Sequence, residues 1–315
     1  MKITQLLLQK GGIQLKRYVM SNLMGRYLSH QRHIKFKSQA EIDAFLEKRE
    51  ALNKEKHKQP DQINIKSNLV KDMFDDMQVF RFNFGHHIKN KILYIYGGTF
   101  VLQPSVFHWR FMDKLAYETL HEVVLPIYPK APEYTYRDTH EAIEQAYRRL
   151  LKETEPSNIV IMGDSSGANM ALSFVQKHLK EQELPLPGQV YLISPWLDLS
   201  LSNPDITEQV QKKDPLHNVS SLQAIAKVWA DDLEIKHPRV SPLYGPVRGL
   251  PPVYMFGGTI ELFYPDMLKL ESYFQAEQQP IHFYQYKDMV TAFPLYPIVE
   301  SRKVLKQIRK TIQHP

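Results

Sequence analysis

Cysteine is absent from all 315 residues. That excludes disulfide bridges, cysteine nucleophiles and thiolate-bound metals, and it leaves the redox compartment undecided. Long apolar runs are missing as well. No stretch approaches the ~20 residues a membrane span requires. The three leucines Leu6, Leu7 and Leu8 are too few for the apolar segment of a secretion signal. A soluble, cytoplasmic protein is the expectation. Metal-ligand spacing is also lacking. The 13 histidines include the adjacent pair His86-His87 but no HExxH motif. No metal or cofactor is implied, and there is neither internal repeat nor low-complexity segment.

The charge that is present is unevenly placed. Residues 1 to 60 carry 13 Lys/Arg against five acids, a net +8, so the rest of the chain is −2 within a total of +6. A slightly acidic body without a zinc or RNA-binding signature excludes a nucleic-acid module. The basic segment has two readings: peripheral contact with an anionic membrane surface, or a solvated helical face with acids interleaved over 41 to 58.

Residues 1 to 75 read as helices. Ile42, Phe45, Leu46 and Leu52 recur at helical spacing, with Ser38 as N-cap and Glu41 three residues on. Beyond about residue 78, short apolar runs alternate with amphipathic stretches, the mark of a mostly parallel sheet covered on both faces. The runs are Lys91–Tyr96, Val123–Tyr128, Asn158–Met162, Gln189–Ile193, Pro252–Phe256 and Ile281–Tyr286. Helices are expected near 138–152, 168–181, 220–232, 265–277 and 298–312.

Two segments carry chemistry. In NIVIM-GDSSG-ANMAL a strand, a Gly-x-Ser-x-Gly turn and a helix follow one another, the context a nucleophile elbow demands. Gly163 and Gly167 leave room where a Cβ would clash, Ser165 projects from the turn, and the N–H of Ser166 is the expected oxyanion donor. Tyr96-Gly97-Gly98-Thr99 also ends a strand. Its paired glycines let backbone N–H groups of Gly97 and Gly98 approach a substrate carbonyl.

From about Ile92 to Leu295 the chain resembles the hormone-sensitive-lipase-like branch of the α/β-hydrolases, serine carboxylesterases with a helical cap. YIYGGTFV stands in the place of the branch's His-Gly-Gly-Gly loop, and IYPKAPEYTYRDTHEA in that of its Tyr-x-x-Ala-Pro-Glu segment. GDSSGAN matches its Gly-Asp-Ser-Ala-Gly-Gly elbow, followed by LISPWLDLS, HPRVSPLYGPVRGLPP and GGTIELFYPD. The resemblance implies an α/β-hydrolase fold: a mostly parallel sheet flanked by helices over 76–315, with a helical cap over 1–75. It implies a small or medium ester as substrate, with Ser165 as nucleophile and Glu261 as triad acid. Asp266 is the alternative acid, although it lies where the next helix should begin. Met20, Leu23, Met24 and Tyr27 are candidate cap residues against the acyl group. Members of the family often dimerise through the last strand, which makes Ile281–Tyr286 a candidate homodimer edge.

The pattern breaks at the base. The branch places its histidine some thirty residues beyond the acid, in a stretch like Met-x-His-x-Phe. Here that stretch is MVTAF, and Thr291 holds the position. A threonine hydroxyl cannot take up a proton near neutral pH, so the general base is missing. Loss of a triad member costs about 10⁴–10⁶-fold in turnover. His86, His87, His108 and the more distant His282 are the histidines that bear on a replacement, each with a structural reading of its own. Tyr96 also replaces the first histidine of the oxyanion loop. Three explanations stay open: a weakened hydrolase or a ligand-binding pseudo-hydrolase, a base not recognised in the sequence, or a substitution at position 291.

Overall fold

All six apolar runs form strands; the five buried on both faces satisfy their backbone through a neighbour on either side, and Ile281–Tyr286 closes the edge. The computed structural model describes residues 34–61 and 63–313. Among these residues eight strands lie in the order β1-β2-β4-β3-β5-β6-β7-β8. They are β1 Leu69–Phe74, β2 Met77–Phe82, β3 Lys91–Ile95, β4 Glu122–Pro126, β5 Ile159–Asp164, β6 Gln189–Ile193, β7 Val253–Gly258 and β8 Ile281–Tyr286. The β1–β2 and β2–β4 pairs are antiparallel and the others parallel. This is the sheet of an α/β-hydrolase fold. Every residue of β3, β5, β6 and β7 is buried, whereas β8 at the edge is half-exposed.

Helices cover both faces: α1 Gln39–Asn53, α2 Val106–Thr119, α3 Tyr136–Leu151, α4 Ser166–Ser173, α5 Glu208–Lys213, α6 Val219–Ala230, α7 Tyr264–Ala276 and α8 Val299–Gln313. The Ser38 hydroxyl accepts from the Glu41 N–H and caps α1 as expected. In α3 the residues Ala142, Ile143, Ala146, Tyr147 and Leu150 turn one apolar stripe to the sheet. Trp109, Trp196 and Trp229 are fully buried, with Phe100 stacked on Trp229 at 3.9 Å.

Two expectations need correction. The region read as helical up to residue 75 contains β1, which pairs with β2 across the turn at Asp75, where φ is +52°. β1 is a sheet edge carrying Lys71 and Asp72, so its apolar alternation is weak. Helix α2 was not expected: its exposed stripe is only Arg110, Lys114 and Tyr117, and the buried face carries His108, Asp113 and Thr119, so polar residues fall on both sides and blur the amphipathic pattern. The candidate cap residues Met20, Leu23, Met24 and Tyr27 lie outside the described residues.

Ile34 to Asn53 nevertheless reaches the ends of the parallel strands. The Phe36 N–H donates to the Ser221 hydroxyl on α6 at 2.8 Å, and Asn53 donates to the Val101 carbonyl at 3.0 Å. Among the described residues no helix is long and apolar enough to cross a membrane.

Candidate active site

Ser165 joins β5 to α4 with φ 51° and ψ −119°, a conformation that non-glycine residues rarely adopt. Three backbone bonds hold it there: its N–H to the Ile193 carbonyl at 2.9 Å, and the N–H groups of Asn169 and Trp196 to its own carbonyl at 3.1 and 3.2 Å. The flanking glycines make the bend feasible. A Cβ on Gly167 would stand 2.0 Å from the Ile95 carbonyl oxygen, and one on Gly163 would stand 2.5 Å from that of Gly167. Ser165 is 7% exposed. Among the described residues no side-chain nitrogen bonds its hydroxyl.

The loop after β3 meets this elbow but departs from expectation, because both amides expected to face a substrate are engaged within the protein. The Gly97 N–H, expected to face a substrate oxygen, donates to the Asp164 carboxylate at 2.9 Å. It is spent on holding the loop against the elbow. The Gly98 N–H donates to the Ser166 hydroxyl at 3.1 Å, and the Phe100 N–H shares the same acceptor at 3.3 Å. Thr99, at φ 50°, lines the cavity beside Gly98. Tyr96 replaces a histidine without disturbing the strand end. Its ring stacks on Tyr128 at 4.4 Å, and its hydroxyl accepts from the ammonium of Lys130 at 3.1 Å. Lys130 is buried, and desolvation pushes its pKa down to about 7.

Asp164 also accounts for His108. Asp164 accepts from the Tyr94 hydroxyl at 2.9 Å and faces His108 Nε2 at 3.3 Å. Burial alone would raise its pKa, but His108 together with the Gly97 and Tyr94 bonds outweighs that and keeps it low. The other ring nitrogen, Nδ1, accepts the Ser105 N–H at 3.0 Å. Both nitrogens are thus engaged away from Ser165. His86 and His87 are exposed in a loop, and His282 stacks on Tyr254 at the sheet edge. None of these four lines the cavity at Ser165.

Glu261 follows β7 and is fully buried. Its Oε1 accepts from the Ser194 hydroxyl at 2.7 Å and the Gly258 N–H at 2.6 Å. The Ser194 oxygen in turn accepts the Ala292 N–H at 2.9 Å, which ties the loop at Thr291 to the acid. Close packing repeats the point: a Cβ on Gly258 would lie 2.0 Å from the Met289 carbonyl oxygen. Two buried oxygens here have no partner among the described residues, Glu261 Oε2 and Thr291 Oγ1. Burial drives the Glu261 pKa well up; the Ser194 and Gly258 bonds only partly offset it, and the Asp214 charge adds to it. Asp266, the alternative acid, sits in the first turn of α7 and accepts from Asn203 at 2.8 Å. Burial raises its pKa to about 6.

The cavity at Ser165 measures about 50 Å³ and is walled by Gly97, Gly98, Thr99, Thr291 and others. One of those others is His217, which the sequence reading missed. Its signal was the Asp-x-x-His spacing of DPLHN: Nδ1 of His217 stands 3.3 Å from the buried Asp214 carboxylate. Among the described residues no cluster of three or more His, Cys, Asp or Glu side chains could hold a metal ion.

An elbow serine at the carboxyl ends of parallel strands, under a glycine loop and beside a buried acid, defines a hydrolase-type site. The sequence pattern of the alpha/beta hydrolase fold family matches residues 92–295, and the chain belongs to that family, among its esterases and lipases. An esterase of Acinetobacter venetianus is 32% identical over 269 residues, spanning 78% of this chain and 88% of that protein. A triacylglycerol lipase of Mycobacterium tuberculosis is 32% identical over 211 residues, 67% of this chain and 43% of that one. Among solved structures, a candidate esterase from Staphylococcus aureus superposes with a TM-score of 0.89 at 50% identity, over 92% of this chain and 98% of that one.

Proposed function

We propose that the chain carries a carboxylesterase site for small or medium esters, with Ser165 as nucleophile and Glu261 as acid, weakened because Thr291 stands where the base belongs. The observation that carries this reading is the pair of orphaned buried oxygens, Glu261 Oε2 and Thr291 Oγ1. Buried carboxylate oxygens are ordinarily bonded. A ring N–H from position 291 would supply the missing donor to Glu261 and leave its second nitrogen for Ser165, the order of contacts an acyl transfer requires. The oxyanion donors in this reading are the N–H groups of Gly98, Thr99 and Ser166, with Gly97 committed to Asp164 and Gly98 available once it leaves the Ser166 hydroxyl.

The test is Thr291→His assayed on p-nitrophenyl acetate against a Ser165→Ala background. Turnover is expected to rise by about 10²–10⁴-fold, the contribution of a positioned general base. No gain above the background would remove the catalytic reading.

The missing imidazole also favours a second reading, a pocket kept for ligand binding alone. It predicts that Ser165 resists a fluorophosphonate probe and that ligand affinity is unchanged in Ser165→Ala. A homodimer through β8, and contact of the basic N-terminal region with anionic vesicles, are separate proposals that neither reading requires. Sedimentation velocity and vesicle flotation at low salt check them.

A further inference from the structure

Position 291 offers Ser165 no imidazole, yet the same cavity contains one. His217 lies between α5 and α6, on the segment that closes over the strand ends, and it lines the cavity with Ser165, Gly98 and Thr291. Its neighbours fix the ring in a usable orientation. Asp214 is buried, and its carboxylate accepts the N–H groups of Leu216, His217 and Leu262 at 2.7, 3.1 and 2.8 Å. Burial would favour the neutral acid, but His217 and these amides prevail and keep Asp214 ionised. A carboxylate at 3.3 Å from Nδ1 selects the tautomer with its proton on that nitrogen. The lone pair is then on Nε2, which bonds no other group among the described residues. The Phe263 ring lies beside the imidazole at 5.2 Å, tilted by 40°. The backbone is pinned by a bridge between His217 and Ile34 and by the Lys35 ammonium on the Asp214 carbonyl at 2.9 Å. A space of about 50 Å³ admits a few waters, enough to relay a proton between the two side chains that line it.

We propose that His217, oriented by Asp214, is the general base and acid for Ser165 in this chain, acting directly or through one water. The inference rests on the hydrolase reading. As the Ser165 oxygen attacks the ester carbonyl carbon, its proton passes to Nε2 and the carbonyl electron pair moves onto oxygen. When that pair returns, the ester C–O bond breaks and the imidazolium proton goes to the leaving alkoxide, giving an alcohol and acyl-Ser165. A water then attacks the acyl carbon and gives its proton to Nε2. Collapse returns that proton to the Ser165 oxygen as the carboxylic acid departs.

The experiment uses the full chain with p-nitrophenyl acetate, and Ser165→Ala sets the background. The unsubstituted protein should exceed that background by about 10²-fold. His217→Asn should remove the whole excess while its thermal melt shows that it remains folded. Should His217→Asn fail to fold, the pH profile of fluorophosphonate labelling at Ser165 decides in the unsubstituted protein and in Asp214→Asn. An inflection in the imidazole range that shifts in Asp214→Asn supports the assignment, and a profile the two proteins share overturns it. An excess that survives His217→Asn also overturns it. If the unsubstituted protein equals the background while Thr291→His gains turnover, His217 is refuted and the hydrolase reading stands. If neither shows turnover, both readings are lost.

Discussion

Ser166 occupies the elbow position where the family motif carries alanine, and its hydroxyl accepts the N–H groups of both Gly98 and Phe100. An amide held by a side chain is a weaker donor to an incoming oxyanion, because that bond must first be given up. In a Thr291→His background, Ser166→Ala should therefore raise kcat several-fold with little change in KM. A fall in kcat would mean that the hydroxyl positions the loop instead. The unpaired oxygens at 261 and 291 make a separate prediction about stability. Thr291→His gives Glu261 Oε2 a donor, and satisfying a buried polar group contributes about 1–3 kcal/mol. Urea unfolding should show a higher midpoint for that variant. A lower one would mean the surroundings of Thr291 do not accommodate a ring.

At the scale of elements, the elbow depends on glycine for clearance rather than for dihedral freedom. The Cβ of Gly167→Ala would meet backbone at 2.0 Å, whereas Gly249→Ala at φ +75° would meet nothing within 4 Å. Gly249→Ala should cost only the strain of its dihedral, about 1 kcal/mol. Gly167→Ala must displace β3 or α4, so it should cost well over about 3 kcal/mol or abolish folding. Equal losses by thermal denaturation would contradict this account of the turn. The contrast also explains what could be read in advance. The elbow and the six parallel strands were legible because each is written in one contiguous string of residues. The hairpin of β1 and β2 was not, since its edge strand carries charge and its partner is fixed by tertiary pairing. His217 was missed for a related reason. It lies about fifty residues from Ser165 in sequence, and only the folding of the α5–α6 segment over the strand ends brings the two to one cavity. The Gly97 amide failed expectation through a contact that sequence does not reveal, the carboxylate of Asp164.

Across the whole molecule, buried charge is handled in two opposite ways at the two ends of the sheet. At the amino ends of β3 and β4, Lys91 and Glu122 pair at 2.7 Å, and the Arg81 guanidinium bridges Glu122 and Glu153. Each of these charges has a counter-ion, so its desolvation is offset. Near the site end, the partners of Lys130 among the described residues are the Tyr128 carbonyl at 2.7 Å and the Tyr96 hydroxyl, both uncharged. Its pKa accordingly falls from 10.5 to about 7 in the folded chain. Between those values the unfolded chain binds a proton that the folded one does not, so stability rises with pH across that window. The slope approaches about 1.4 kcal/mol per pH unit in mid-window. Burial raises the phenols of Tyr96 and Tyr128, which reverses the trend once unfolded tyrosines ionise near pH ~10. Lys130→Met removes the titrating group while keeping an unbranched chain beside the two rings. Denaturant unfolding at pH 7, 8 and 9 should show midpoints that climb for the unsubstituted protein and stay flatter for Lys130→Met. Parallel climbs would place the ammonium in contact with water or with a counter-charge, and Tyr96 would then need another account of how it replaces the loop histidine.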